Sequence, residues 1–340
     1  MKAPLALIVG LSGTAITPAE YKFFRTANPL GFILFKRNCE NQVQIKKLTD
    51  DLRALTGRTD TPILIDQEGG RVARLRPPEF APLPPMRAFG DLYKKNPLKN
   101  RIRAKKALTA NIQIIAAELL SLGINVDCVP VLDVPVRGAD NIIGDRAFSS
   151  DPEIISALGR VAVDAALSAG LTPIIKHIPG HGRATCDSHL GLPTVTASLA
   201  TLMKTDFVPF RALRDAPWAM LAHVRYTALD KDLPASLSPT VIQYIRSQIG
   251  FDGVLIGDDV SMKALGGSYQ SRATKTLVAG ADLVLHCNGN LAQMEKVVAG
   301  CREISAETVK RLRSGRTRLR PPARPNIPEL LALRDALLVS

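Results

Sequence analysis

The chain has 340 residues and a formal net charge of +13 at pH 7, and 46% of its residues are hydrophobic while 22% are charged. These values are typical of a globular protein with one large α/β domain or two smaller ones. The charge does not predict a nucleic-acid partner, because the basic residues cluster at Lys94 to Lys106 and Arg302 to Arg324 without interleaved aromatic residues. We read the second cluster, which ends in "RPPARP", as a solvated tail. Nothing approaches the ~18 continuous apolar residues of a membrane span, so no membrane partner is predicted either.

The first residues, "MKAPLALIVGLSGTA", have two interpretations. A lysine followed by an apolar run resembles a short signal peptide, but a first strand from Leu5 to Val9 is favoured, since similar apolar runs recur along the chain. The five cysteines are odd in number and scattered, with no C-x-x-C pair. We therefore expect reduced thiols, as in a cytoplasmic protein.

Short β-branched apolar runs alternate with longer amphipathic stretches along the chain. The eight runs are residues 5–10, 31–35, 62–67, 125–134, 173–178, 218–224, 253–259 and 281–287. The clearest helical stretches are residues 103–123, 151–170, 198–216 and 238–250. Eight buried strands that alternate with helices predict an α/β fold, a single (β/α)₈ TIM-type barrel over residues 1–340 with a basic C-terminal segment at about 302–340. An open doubly wound sheet is the alternative.

Charged or imidazole side chains stand where these runs end. They are Asp66, Asp133, Lys176, His177, His223, Asp258, Asp259 and His286. Because the C-terminal ends of parallel barrel strands share one rim, we expect these groups to converge on a site there. Carboxylates beside Lys and Arg, with no nucleotide-binding loop, favour a polar, multiply hydroxylated substrate.

A metal site is the other interpretation of the histidine-rich stretch "KHIPGHGRATCDSHLGLP" at residues 176–193. His177, His181, Asp187 and His189 are suitable ligand types. The H-x-x-x-H spacing would share one face only on a helix, however, and Pro179 with its following glycine interrupts a helix there. We therefore predict no metal and no cofactor.

Five blocks carry a resemblance to a known family. They are "LIDQEGGRVARL" (64–75), "PVLDV" (130–134), "IIGDRAF" (142–148), "KHIPGHG" with "DSHLGLP" (176–193) and "GVLIGDDVSM" (253–262). In this order they resemble the signature blocks of family 3 glycoside hydrolases, and more narrowly the bacterial single-domain β-N-acetylglucosaminidases of cell-wall recycling. The resemblance implies a cytoplasmic retaining enzyme that removes terminal GlcNAc from peptidoglycan fragments such as GlcNAc-1,6-anhydroMurNAc-peptides.

The resemblance also implies roles for individual residues. Asp258 would be the nucleophile that forms a covalent glycosyl-aspartate, and His189, paired with Asp187, would be the general acid/base. Asp259 is expected to point to the other side of its strand and to be structural. The residues implied in sugar binding are Asp66, Arg74, Arg146, Lys176 and His177. Glycines and prolines around His189 predict a loop that can swing.

The acid/base role has a physical basis. An imidazole with a pKa of ~6.5 is mostly neutral at pH 7, and a hydrogen-bonded Asp187 would favour its protonated form and fix its tautomer. Two other functions would use the same residues: a β-N-acetylglucosaminide phosphorylase, and a non-catalytic muropeptide-binding barrel. In each case the partner is a small carbohydrate, and the protein is expected to act as a monomer.

Overall fold

A computed structural model describes residues 3–95, 98–188, 190–321 and 325–339. Eight parallel strands close into a barrel, which confirms the predicted fold. The strands are β1 (Leu5–Gly10), β2 (Pro29–Leu34), β3 (Ile63–Ile65), β4 (Val126–Asp127), β5 (Thr172–Ile178), β6 (Trp218–Leu221), β7 (Val254–Asp259) and β8 (Leu283–His286). Their order around the barrel follows the chain, and β1 closes the ring between β2 and β8. The first apolar run is therefore a barrel strand, as the favoured interpretation had it.

The barrel strands are buried on both faces, which explains their continuous apolar sequences. β4 is much shorter than the predicted run of residues 125–134. Pro130 has no backbone N–H, and beyond Asp127 the pairing with β5 is reduced to an isolated bridge between Val131 and Lys176. Leu132 N still donates to the Lys176 carbonyl over 2.7 Å, so the segment stays against the barrel without forming a regular strand.

Helices surround the barrel. They are α1 (Pro18–Ala27), α2 (Gln42–Thr56), α3 (Met86–Lys94), α4 (Lys99–Ser121), α5 (Pro152–Ser168), α6 (Leu199–Lys204), α7 (Val208–Ala212), α8 (Pro239–Tyr244), α9 (Tyr269–Val278), α10 (Leu291–Val298), α11 (Ala306–Arg316) and α12 (Ile327–Val339). Many begin at a side-chain cap, and Thr17 and Glu20 form a reciprocal capping box at the start of α1.

Two predicted helices are interrupted. Residues 198–216 form α6 and α7, separated by a turn, and Pro209 in the first turn of α7 has no N–H with which to continue the earlier helix. Residues 238–250 form α8 followed by a π-helical turn, Ile245–Ile249, that ends at Gly250 with a φ of 80°.

The C-terminal helices pack on the barrel. Arg334 on α12 is 2% exposed, and its guanidinium donates to the Pro82 carbonyl over 2.8 Å and to Asn111 Oδ1 on α4 over 3.1 Å. This buried arginine anchors α12 to α4. The solvated tail expected at Arg302 to Arg324 is wrong for α11, where Arg311 donates to the buried Asp282 carboxylate over 2.9 Å. Residues 322–324, in the middle of "RPPARP", lie outside the described part of the chain.

No helix among the described residues combines the length and apolarity required to cross a membrane. All five cysteines are free thiols.

Candidate active site

A cavity of about 310 Å³ opens at the C-terminal ends of the barrel strands. Its charged and imidazole lining residues are Asp66, Glu68, Arg74, Arg146, Lys176, His177, His181, Asp258 and Asp259. They follow β3, end β5 and β7, or stand in the loops between strands. Six of the residues proposed from the sequence therefore share one cavity, which is large enough for a small ligand.

Lys176 is the centre of a charged cluster on the floor of this cavity. Its side chain is 2% exposed, and Nζ lies 2.8 Å from Asp66 Oδ1 and 2.7 Å from Glu68 Oε1. Arg74 Nη2 donates to the second Asp66 oxygen over 2.9 Å. Arg146 grips both oxygens of Glu68, over 2.9 and 2.8 Å. We call these five residues the charged floor; their paired charges make it rigid and polar.

The pKa values of the floor carboxylates and lysine are determined by their ion pairs more than by their burial. Burial alone would raise the pKa of Asp66 and of Glu68, but Lys176 with Arg74 or Arg146 outweighs it and holds both pKa values below their usual range. Burial likewise opposes the charge on Lys176, yet the two carboxylates raise its pKa. The Asp66 and Glu68 carboxylates and the Lys176 ammonium are therefore ionised near neutral pH.

His177 is held by Asp133, which the sequence marked only as a strand end. Asp133 Oδ2 lies 2.7 Å from His177 Nδ1, while Oδ1 accepts the backbone N–H groups of His177 and His181. Despite complete burial, these contacts lower the pKa of Asp133 to about 2. An ionised carboxylate can only accept, so Nδ1 carries the proton and Nε2 is left for the cavity.

Lys176 and His177 both line the cavity although they are neighbours in one strand. In a regular strand their side chains would point to opposite faces. The register of β5 against β6 shifts between Lys176 and Ile178, and this irregularity allows two consecutive residues to serve the site.

The two aspartates at the end of β7 differ in how their oxygens are used. Asp258 is 8% exposed, and its Oδ1 accepts the N–H of Asp259 over 2.8 Å. Its Oδ2 has no hydrogen bond to any residue within the described ranges. Asp259 Oδ1 accepts the N–H groups of Ser261 and Cys287, and its Oδ2 accepts the Ser261 hydroxyl. Asp259 also borders the cavity, contrary to the expected opposite orientation, but its oxygens already hold two loops together.

Three of the strand-end residues do not line the cavity: Asp133, which lies behind His177, and two histidines. His223 and His286 are both fully buried in the barrel wall. His223 Nε2 donates to the Asp259 carbonyl over 3.0 Å and Nδ1 accepts from Ser236 Oγ over 2.7 Å, while the His286 ring packs edge-on against Tyr269. The expected convergence therefore holds for the ends of β3, β5 and β7. Asp133 meets the site through His177 and His181, which it binds, and the prediction is wrong for the two histidines.

The proposed acid/base loop follows β5. Asp187 is half-buried and does not appear among the residues that line the cavity; its carbonyl accepts the N–H groups of Leu190 and Gly191. Ser188, which does line the cavity, accepts the N–H of Ala264 with its carbonyl over 3.1 Å. His189 lies outside the described residues.

Glu68 is the site residue that sequence reasoning missed. It stands two positions after Asp66, inside the quoted "DQEGG" block, and is 2% exposed between Lys176 and Arg146. An acidic residue flanked by short apolar strands and glycines was the available signal. Across the described ranges, no three His, Cys, Asp or Glu side chains form a group that could hold a metal ion.

The fold and the cavity together define a TIM-barrel enzyme whose ionised, hydrogen-bonding floor suits a polyhydroxylated ligand. Residues 20–314 match the glycosyl hydrolase family 3 N-terminal domain. The chain belongs to glycosyl hydrolase family 3 and is a glycoside hydrolase.

Its relatives are named consistently. The chain is 38% identical over 292 residues to a β-hexosaminidase of Bordetella avium, covering 84% of this chain and 81% of that one. It is 36% identical over 320 residues to a β-hexosaminidase of Bordetella pertussis, covering 91% and 88%. The crystal structure of NagZ from Neisseria gonorrhoeae in complex with N-trifluoroacetyl-D-glucosamine superposes with a TM-score of 0.87 at 29% identity, covering 99% of this chain and 98% of that chain.

Proposed function

We propose that this β-hexosaminidase is an exo-acting β-N-acetylglucosaminidase that removes terminal GlcNAc with retention of anomeric configuration. The observation that carries the proposal is the position of Asp258. Its Oδ2 makes no hydrogen bond with the described residues, and it shares one cavity with a floor whose charges are already paired. A carboxylate beside a rigid hydrogen-bonding floor suits attack on a held sugar.

The relatives support the choice of sugar. Those compared by sequence are β-hexosaminidases, and the gonococcal structure was obtained with an N-acylated glucosamine. Carboxylate oxygens of Asp66 would accept hydrogen bonds from sugar hydroxyls, and Arg74, Lys176 and Arg146 would donate to them. His177 would present its Nε2 to the sugar, because Asp133 occupies Nδ1. Contacts of this kind accelerate the reaction when they strengthen in the oxocarbenium-like transition state.

In the first step, an oxygen of Asp258 attacks the anomeric carbon and forms an ester bond as the bond to the leaving oxygen breaks. The imidazolium of His189 gives its proton to that leaving oxygen. A paired Asp187 would favour this protonated form and fix the tautomer.

In the second step, the neutral His189 takes a proton from water, whose oxygen attacks the anomeric carbon as the ester bond to Asp258 breaks. Two inversions at one carbon retain the configuration. The biological substrate we propose is a peptidoglycan fragment such as GlcNAc-1,6-anhydroMurNAc-peptide, processed in the cytoplasm during cell-wall recycling.

A covalent trap tests the nucleophile. The protein would be incubated with a 5-fluoro N-acetylglucosaminyl donor, digested with trypsin and mapped by mass spectrometry. The tryptic peptide of residues 247–263 contains Asp258 and Asp259, so fragment ions compare them within one peptide. We expect the adduct on Asp258. An adduct on Asp259 would contradict Asp258 as the nucleophile, and the absence of any adduct would contradict the covalent mechanism.

Leaving groups of different acidity test the acid/base residue. His189→Ala should lose far more activity on 4-nitrophenyl N-acetyl-β-D-glucosaminide than on the 2,4-dinitrophenyl analogue, whose leaving oxygen needs little protonation. Equal losses on both substrates would contradict the role of His189. The same assays with added inorganic phosphate should release GlcNAc; GlcNAc-1-phosphate as the main product would replace hydrolysis by phosphorolysis.

A further inference from the structure

Gln67 stands between two floor residues, Asp66 and Glu68, but does not itself line the cavity. It is 1% exposed. Its Oε1 accepts the N–H groups of Arg74 over 2.8 Å and Leu75 over 3.1 Å, and its Nε2 donates to the Leu75 carbonyl over 2.9 Å. One side chain therefore closes the hairpin that carries Arg74 back towards the site.

Asp127 lies behind Gln67 at the end of β4. It is completely buried and paired in register with Ile65, and its Oδ1 accepts the backbone N–H of Gln67 over 2.9 Å. Its Oδ2 is buried with no partner within the described ranges. The single hydrogen bond that this carboxyl makes there is thus directed at the peptide that joins Asp66 to Gln67.

We propose that Gln67 and Asp127 form a positioning pair behind the cavity that fixes the spacing of Asp66 and Glu68 around Lys176 and directs Arg74 to Asp66. Asp127 holds the backbone between the two floor carboxylates, and Gln67 holds the backbone of the floor arginine. This inference rests on the proposed role of the floor in binding the sugar. Small displacements of such groups are costly, since ~1 Å can change rates by about 100-fold.

The chemistry of Asp127 suggests a conservative replacement. Burial raises the pKa of Asp127 to about 7, although the bond from the Gln67 N–H opposes this shift. At lower pH the group is a neutral acceptor, which an asparagine amide oxygen reproduces. Leucine is close to aspartate in shape and cannot accept the bond, and methionine replaces glutamine with similar volume.

The chain offers a matched control at the other end of the same strand pair. Asn125 Oδ1 accepts the N–H of Ile63 over 2.8 Å, and its Nδ2 donates to the Thr61 carbonyl over 3.2 Å. Asn125 thus fixes the start of β3 as Asp127 fixes the residue after Asp66, and it lies at the end of β3 opposite the cavity. A merely structural role would make Asn125→Leu and Asp127→Leu equivalent.

The test compares Gln67→Met, Asp127→Leu, Asp127→Asn and Asn125→Leu, using KM and kcat for 4-nitrophenyl N-acetyl-β-D-glucosaminide, Kd for GlcNAc by calorimetry, and Tm. We expect the first two variants to weaken GlcNAc binding and raise KM by about tenfold or more. Asp127→Asn should stay within about threefold of the wild type at pH 6. Asn125→Leu should lower Tm without changing Kd or KM.

Equal Kd and KM in Gln67→Met, Asp127→Leu and Asn125→Leu would overturn the proposal, as would an Asp127→Asn variant as weak as Asp127→Leu. The two disruptive variants break the pair from opposite sides, so one that folds is sufficient. Asp66→Ala separates this inference from the proposed function. If Asp66→Ala also leaves Kd unchanged, the floor does not bind the sugar; if it weakens Kd while Gln67→Met does not, the positioning pair alone is wrong.

Discussion

The charged floor and the loop of residues 180–193 border the same cavity but are held in different ways. Side-chain charges hold the floor: Lys176 bridges Asp66 and Glu68, each of which also receives an arginine. Backbone groups hold much of the loop. Gly182 accepts from Val136 N, Ala184 from Asp140 N and Ser188 from Ala264 N.

This difference separates two tasks. A floor with paired charges needs no rearrangement when the sugar binds, which favours tight and oriented binding. Arg183 in this loop does pair with the buried Asp206 carboxylate over 2.7 Å. The peptide groups of Gly182, Ala184 and Ser188 can exchange their bonds for others without exposing a buried charge, which suits a segment that we propose delivers a proton. Removing a charged side chain should therefore disrupt the floor. Adding a side-chain atom where the backbone is closely packed should disrupt the loop.

The largest effect is expected at Asp258, which faces the floor across the cavity. Asp258→Ala should lower kcat by at least about 1,000-fold, because no other carboxylate that lines the cavity has an oxygen without a hydrogen-bond partner among the described residues. GlcNAc should still bind, since the floor is intact. Steady-state kinetics and calorimetry on the same preparation check both statements. Wild-type kcat in this variant would contradict the proposed nucleophile.

The next effect concerns the stability of the floor. Lys176→Met leaves the buried Glu68 and the half-buried Asp66 without their shared cation and should reduce the free energy of unfolding by roughly 3–5 kcal/mol. Lys47→Met is the matched control, because the Lys47–Asp51 pair is exposed on α2 and should contribute less than about 1 kcal/mol. Urea unfolding of both variants measures the difference. Similar losses would show that pairing does not stabilise the floor.

The pH dependence of stability probes Asp133, which connects floor and loop through His177 and His181. Its pKa of about 2 lies below the value of ~3.9 for an unfolded aspartate, so its contribution is present above pH ~4 and is lost as the pH falls towards 2. The size is roughly 2 kcal/mol. Asp133→Asn should therefore flatten the decline of unfolding free energy between pH 4 and 2.5, measured by urea titration. An unchanged decline would contradict the role of this carboxylate.

The barrel was predictable from the sequence because buried parallel strands have continuous apolar runs, and each of the eight runs overlaps a barrel strand. The grouping of Asp66, Lys176 and Asp258 followed from the shared rim of such strands. Strand periodicity could not predict that Lys176 and His177 both face the cavity, because this depends on a local register shift. Strand periodicity also could not show that Glu68 pairs with Lys176 and Arg146, or that His223 lies outside the cavity. Both depend on hydrogen-bond partners that are far away in the sequence.

The smallest effect is expected from adding a Cβ atom to a closely packed glycine in the loop. A Cβ on Gly182 would lie 2.0 Å from the Val134 carbonyl oxygen, so Gly182→Ala must displace the loop or residues 134–136. Gly191, in the same loop, has nothing within 4 Å of an added Cβ. We expect Gly182→Ala to lower kcat/KM for the 4-nitrophenyl substrate by about tenfold or more, and Gly191→Ala by less than about twofold.

The leaving group shows which half of the site this displacement affects. If the loop supplies the proton, the loss in Gly182→Ala should shrink with the 2,4-dinitrophenyl substrate, and the Kd for GlcNAc should stay near the wild-type value because the floor charges are untouched. An equal loss on both substrates with a weakened Kd would mean that the clash is transmitted through residues 134–136 to Asp133 and the floor. The floor and the loop would then move together, and the distinction between a floor held by side-chain charges and a loop held by backbone hydrogen bonds would be wrong.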